Sequence, residues 1–146
     1  MNITKIAYNF LPSNGDETTI EIFDAIANKK TKDWWTGETV GTEVTPTDFQ
    51  EKLNAVTTKN IVIRMNSGGG EVTAANVIAV ALQEARKAGK HITCKIVGMC
   101  ASAAVQIAMS CDEVIAHESA LMMIHNPKAF LYGYHDINNL KSVDNM

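Results

Sequence analysis

The alternation of apolar and polar positions divides this chain into short strands and a few helices. Ile3 to Ile22 alternates weakly around a polar turn, Pro12-Ser13-Asn14-Gly15-Asp16. This predicts a hairpin, one strand running to about Leu11 and the next from about Glu17 to Phe23. Asn28 to Thr45 is polar and holds Gly37, Gly41, Trp34 and Trp35. It reads as a loop whose two indoles pack it onto the domain. Thr45-Pro46-Thr47-Asp48 has the form of a helix start, with Phe49, Leu53 and Val56 following at helical spacing.

Asn60 to Met65 is a short β-branched run, read as a buried strand, and Ser67-Gly68-Gly69-Gly70 breaks it. Val72 to Ala88 is Ala-rich and apolar at Val77, Ile78, Val80, Ala81 and Leu82, a helix ended by Gly89. His91 to Val97 reads as a second strand and Gly98 to Ser102 as a tight turn. Ala103 to Met109 reads as an apolar helix. Glu113–Ala116 and Leu121–Ile124 are two further strands. From about Asp136 the tail is again helical in pattern. Strands alternating with helices predict βαβ units, hence an α/β fold with a mainly parallel sheet.

A chain of 146 residues suits one domain with its own core. Its 46% apolar and 20% charged residues are those of a globular protein. The net charge of −3 and scattered Lys and Arg leave no footprint for nucleic acid. No apolar run approaches the roughly 18 residues of a membrane span, and the N-terminus lacks a signal-peptide pattern. The expectation is a soluble cytoplasmic protein. Cys94, Cys100 and Cys111 are odd in number and lack zinc-finger spacing. They read as reduced, buried, small apolar residues.

Three turns at strand ends, where α/β folds place their functional crevice, carry the candidate chemistry. At Asn66-Ser67-Gly68-Gly69-Gly70, glycines leave backbone N–H groups open to an anion or oxyanion, and no Walker Gly-Lys-Ser/Thr follows. At Gly98-Met99-Cys100-Ala101-Ser102-Ala103-Ala104, a serine with small neighbours stands where a strand hands over to a helix, the logic of a nucleophile elbow. Alone, Ser102 reads more readily as a helix N-cap than as a nucleophile. At Met123-Ile124-His125-Asn126-Pro127, a histidine closes an apolar strand. As a buried neutral ring it needs partners, and Ser102 is one candidate. His91, His117 and His135 read as solvated surface groups.

Together these pieces resemble the Clp protease proteolytic subunit family, from about Ile61 to Pro127. Asn66-Ser67-x-Gly69-Gly70-x-x-Thr73-Ala74, Gly98-x-x-Ala101-Ser102 and Met123-Ile124-His125-x-Pro127 occur in the family's order. Trp34-Trp35-Thr36-Gly37 ahead of Thr45-Pro46-x-Asp48-Phe49 is similar to the phage and prophage branch, itself similar to proteases that mature viral heads. The resemblance implies Ser102 as nucleophile, His125 as base and later acid, and the N–H groups of Gly70 and Ala103 as oxyanion hole. It also implies the superhelix of βαβ units shared with the crotonases and a homo-oligomeric ring. Peptide or protein substrates are implied, phage head proteins among them, in a host cytoplasm and with no metal or cofactor. Gly68 replaces the family's usual Pro, and Ala103 its frequent Met. The family's third triad member is an Asp past a long helix downstream of the histidine, and Asp136 and Asp144 lie too close to His125 to match it. The expectation is therefore one ClpP-like domain over residues 1–146, incomplete at its C-terminus and weakly active or inactive. Two other readings stay open: an inactive assembly protein of this fold, and a crotonase-fold acyl-CoA enzyme.

Overall fold

The computed structural model describes residues 10–12 and 15–126. Over them run β1 (Phe10–Pro12), β2 (Glu17–Ile22), α1 (Pro46–Asn54), β3 (Asn60–Ser67), α2 (Val72–Lys87), β4 (His91–Ala101), α3 (Ala103–Ala108), β5 (Glu113–Ala116) and β6 (Leu121–Met123). The predicted hairpin is present, with Phe10 opposite Ile20 in an antiparallel pair. Every other ladder is parallel, and the sheet order is β1-β2-β3-β4-β5 with β6 also on β4. The expected α/β fold with a mainly parallel sheet is the observed one.

Each helix follows from its sequence. Thr45 caps α1, its hydroxyl accepting the Asp48 N–H at 3.3 Å, and Pro46 occupies the first turn, where no N–H is needed. Phe49 and Leu53 lie one turn apart and are the buried residues of that helix. In α2, Ala74, Ala75, Ile78, Ala81 and Leu82 share one face and are buried, whereas Val77 and Val80 are exposed. Gly89 ends α2 at φ +94°, a left-handed position that glycine adopts without a side-chain penalty. The core between sheet and helices holds Ile20, Ile22, Ile63, Met65, Ile92 and Ile96 from the strands, packed against Phe49, Ile78, Leu82 and Ile107. Burial of each such side chain contributes about 2 kcal/mol.

Two expectations are corrected. Gly98 to Ala101 is not a turn: β4 continues through it, because Cys100 pairs with Ser67 on one side and Met99 to Ala101 pair with Leu121 to Met123 on the other. Only Ser102 turns the chain. Nor do the indoles pack the loop onto the domain: Trp34 and Trp35 are 86% and 80% exposed and stack edge to face on each other at 5.2 Å. Backbone bonds hold their turn, from Asp33 N–H to Glu38 O and from Gly37 N–H to Asp33 O. The Asp33 carboxylate adds two more by accepting the N–H groups of Trp35 and Thr36. The helical tail expected from about Asp136 lies outside the described residues. Among the described residues no helix is long and apolar enough to cross a membrane.

Candidate active site

β4 is long enough to carry two strands in succession on one edge. β5 pairs with its first half, Thr93 to Ile96, and β6 with its end, Met99 to Ala101. Residues that follow β6 therefore arrive beside residues that follow β4. Ser102 donates its N–H to Met123 O at 2.9 Å, and His125 comes two residues later. Ser102, Ala103, Val105, Met109, Ile124 and His125 line one open cavity of about 470 Å³.

Ser102 has φ 53° and ψ −125°, and among the described residues it is the sole non-glycine with positive φ. Such a backbone costs about 1–3 kcal/mol and is kept where the surroundings impose it. It is the geometry of a sharp strand-to-helix elbow, which lifts a side chain clear of both elements. Ser102 does stand at the N-cap of α3, as its position suggested, but its side chain makes no capping hydrogen bond and is left available.

The glycine loop is bonded in place beside this elbow. Ser67, buried, donates its hydroxyl to Asp24 O at 2.7 Å and accepts the Gly69 N–H at 3.1 Å. Gly69 O accepts the Ile26 N–H at 2.9 Å, and Ile26 O accepts the Glu71 N–H at 2.8 Å. Gly69, at φ +92°, has its α-carbon against the elbow: a Cβ there would stand 2.9 Å from Ala103 N. At Gly70 a Cβ would fall 2.0 Å from Ile26 O. In this arrangement the N–H groups of Gly70 and Ala103 have no backbone partner among the described residues. Two unpaired N–H groups on neighbouring turns can hold a developing oxyanion. Gly70 itself does not line the cavity.

His125 is exposed, not buried as its apolar strand suggested. Its Nδ1 lies 2.6 Å from Asn126 O. A carbonyl only accepts, so Nδ1 is the donor in this bond, an arrangement in which the base position of an uncharged ring is Nε2. Among the described residues, His125 is bonded neither to Ser102 Oγ nor to a carboxylate. Asp136 and Asp144 lie outside the described residues.

The three cysteines are free and buried, as expected. Cys100, two residues before Ser102, has its thiol pushed up to about 11, by burial first and by Cys111 second. A hydrogen bond with Cys111, and then burial, raise the Cys94 thiol further. Such thiols are poor nucleophiles. Among the described residues no His, Cys, Asp or Glu cluster could hold a metal ion. Sequence reasoning marked Ser102, Ala103, Gly70 and His125. It missed that Gly69 meets the elbow and that Ser67 and Ile26 hold the loop, although Ser67 and Gly69 stand in the same motif.

This is a mainly parallel α/β fold in which an elbow serine and a histidine share one cavity and a glycine loop packs beside the elbow. The Clp protease family matches residues 39–143, and the chain belongs to that family. Protease 4 of Salmonella typhi is 35% identical over 82 residues, covering 56% of this chain and 13% of that protein. Among solved structures, a ClpP1 mutant from Listeria monocytogenes superposes with TM-score 0.51 at 19% identity, over 75% of this chain and 56% of its own. An enoyl-CoA hydratase from Thermoplasma volcanium gives TM-score 0.56 at 14% identity, over 85% and 53%. These likenesses join the ClpP and crotonase folds in one frame. The chain spans about half the length of these structural neighbours and a smaller part of the curated relative.

Proposed function

We propose that the chain is the nucleophile-bearing part of a serine endopeptidase. The observation that carries this reading is the elbow at Ser102, a strained serine facing the same cavity as His125. Family membership supports the peptidase class. In the proposed reaction His125 Nε2 takes the Ser102 hydroxyl proton as Oγ attacks the scissile carbonyl. The negative charge on the carbonyl oxygen falls to the N–H groups of Gly70 and Ala103. His125 then returns the proton to the leaving amine, giving an acyl-enzyme that water hydrolyses by the same steps in reverse order of roles.

Ser102 and His125 share a cavity without a hydrogen bond between them, and catalytic contacts of this kind often tighten only with substrate bound. Where an aspartate fixes the histidine tautomer, its loss costs about 10⁴ in turnover. Here the Nδ1–Asn126 O bond favours the same tautomer without adding a charge. We assign the substrates to peptides or proteins, phage head proteins among them, and the working form to a cytoplasmic homo-oligomeric ring. The Trp34-Trp35 segment and the family's architecture support those assignments.

Intact-mass analysis after treatment with a fluorophosphonate tests the reading. One adduct is expected on the wild-type chain and none on Ser102→Ala. Absence of an adduct, with a control protease reacting, would sink the peptidase assignment. The crotonase-like neighbours favour a second reading, an acyl-CoA enzyme in which the same two N–H groups hold a thioester oxygen. Micromolar binding of coenzyme A together with no fluorophosphonate adduct would favour it.

A further inference from the structure

Between Met65 and Ser67 the central ladder falls out of step. Met65 pairs with Ile96, yet Ser67 pairs with Cys100. Asn66 on β3 therefore faces Val97, Gly98 and Met99 on β4. Extra residues of this kind bend a strand and leave backbone groups without ladder partners. The Asn66 side chain replaces one partner: its Oδ1 accepts the Met99 N–H at 3.0 Å. The amide lies over Gly98, where a Cβ would stand 2.5 Å from Oδ1. Asn66 and Gly98 are thus fitted to one another.

Past this bulge β4 takes a new course. Met99, Cys100 and Ala101 pair with Leu121, Met122 and Met123, and Ser102 donates to Met123 O. The segment held by Asn66 is the one that ends in the elbow and that docks the strand leading to His125. The bond is solvent-exposed, so water could satisfy the Met99 N–H in its place. Core satisfaction therefore does not account for it, whereas holding the course of β4 does.

We infer that Asn66 is a positioning residue that sets Ser102 and His125 relative to each other through the Met99 bulge. The inference rests on the serine-peptidase reading for its catalytic consequence but not for its geometry. Two measurements on the 146-residue chain test it: hydrogen exchange over residues 98–103 and 121–125, and the rate at which a fluorophosphonate labels Ser102. Asn66→Ala is expected to speed exchange in both segments and leave β2 and α1 unchanged. It should slow labelling by about tenfold to a hundredfold, the scale of an ångström-sized misplacement. Asn66→Asp keeps an oxygen acceptor and is expected to restore both readouts. Gly98→Ala, which pushes the amide away, should reproduce Asn66→Ala.

Wild-type exchange and labelling in Asn66→Ala would overturn the inference, as would failure of Asn66→Asp to restore them. If the wild-type chain is not labelled at all, the peptidase reading falls, and the exchange data still decide whether Asn66 holds the two segments.

Discussion

Gly69 lies directly against Ser102: a Cβ on Gly69 would stand 2.8 Å from Ser102 Cβ and 2.5 Å from the Ala101 carbonyl oxygen. The loop that presents the Gly70 N–H and the elbow that presents the Ser102 hydroxyl are therefore in van der Waals contact through a hydrogen atom. No side chain fits between them. The closeness of the two turns is what would let one carbonyl reach a nucleophile and an oxyanion donor together.

Gly69→Ala should separate the two turns. The added methyl meets backbone, which cannot swing aside, and the φ of +92° is strained for alanine. Losing one oxyanion donor costs about 10²–10³ in rate, so fluorophosphonate labelling is expected to slow by about 10². Thermal unfolding should report a loss of about 1–3 kcal/mol from the strained backbone. Wild-type labelling in this variant would show that the loop does not serve the reaction.

The strain at Ser102 predicts an opposition between stability and chemistry. At φ 53° and ψ −125° a glycine is relaxed and any residue with a Cβ is not. Ser102→Gly is expected to gain about 1 kcal/mol over Ser102→Ala, since only glycine releases the strain. Both variants should lose the adduct. Equal melting temperatures for the two would mean that the elbow is not strained.

Cys100 is a rival nucleophile by position and is ruled out by environment. With its thiol held up near 11, the native chain at pH 8 should react only slowly with a disulfide reagent and fully once denatured. Cys100→Ala should keep the adduct at Ser102. The raised thiols also set a sign for stability: above the ordinary value of 9.0 the unfolded chain ionises first. Stability is expected to fall as pH rises past 9.0; the Cys100 share of that loss is complete near 11, where its folded thiol ionises too, while Cys94, raised further, keeps stability falling beyond it.

Trp34 and Trp35 are both tryptophans of the sequence, so intrinsic fluorescence reports their turn alone. Emission is expected at the red end of the indole range and to be strongly quenched by acrylamide. The turn leans on Asp33, whose pKa is lowered from 3.8, first by the Thr36 N–H and then by the Trp35 N–H. A lowered carboxyl contributes its stability above the ordinary value and loses it as pH falls through the folded one. Tryptophan anisotropy should therefore hold across neutral and mildly acidic pH and drop only below 3.8. Asp33→Ala should show the low value already at neutral pH. Blue-shifted, unquenched emission would mean that the indoles are covered in solution.

Much of the fold was legible because local rules and the tertiary solution agree. Thr45-Pro46 starts α1, Gly89 ends α2, and β-branched runs form the parallel strands, each for reasons contained in a few neighbouring residues. The end of β4 was misread because Gly98 looks like a turn by itself. It is extended because Ser67 lies on one side of that segment and β6 on the other, residues distant in sequence. Trp34 and Trp35 were misread for the opposite reason: indoles are usually buried, and here a turn closed by Asp33 holds them out.

The sequence by itself determined the element order, the mainly parallel α/β class and the candidates Ser102 and His125, because spacing and residue type carry that information along the chain; Gly70 and Ala103 came from the resemblance of its motifs to the Clp protease family. Only the tertiary structure decided what meets what. It put the Gly69 α-carbon against the elbow, strained Ser102 at positive φ, turned the His125 Nδ1 to Asn126 O and closed the β4 bulge with the Asn66 amide. The Gly69 and Asn66 contacts bring β3 and the loop after it against the end of β4, and parallel pairing of that kind depends on crossovers that no local pattern encodes.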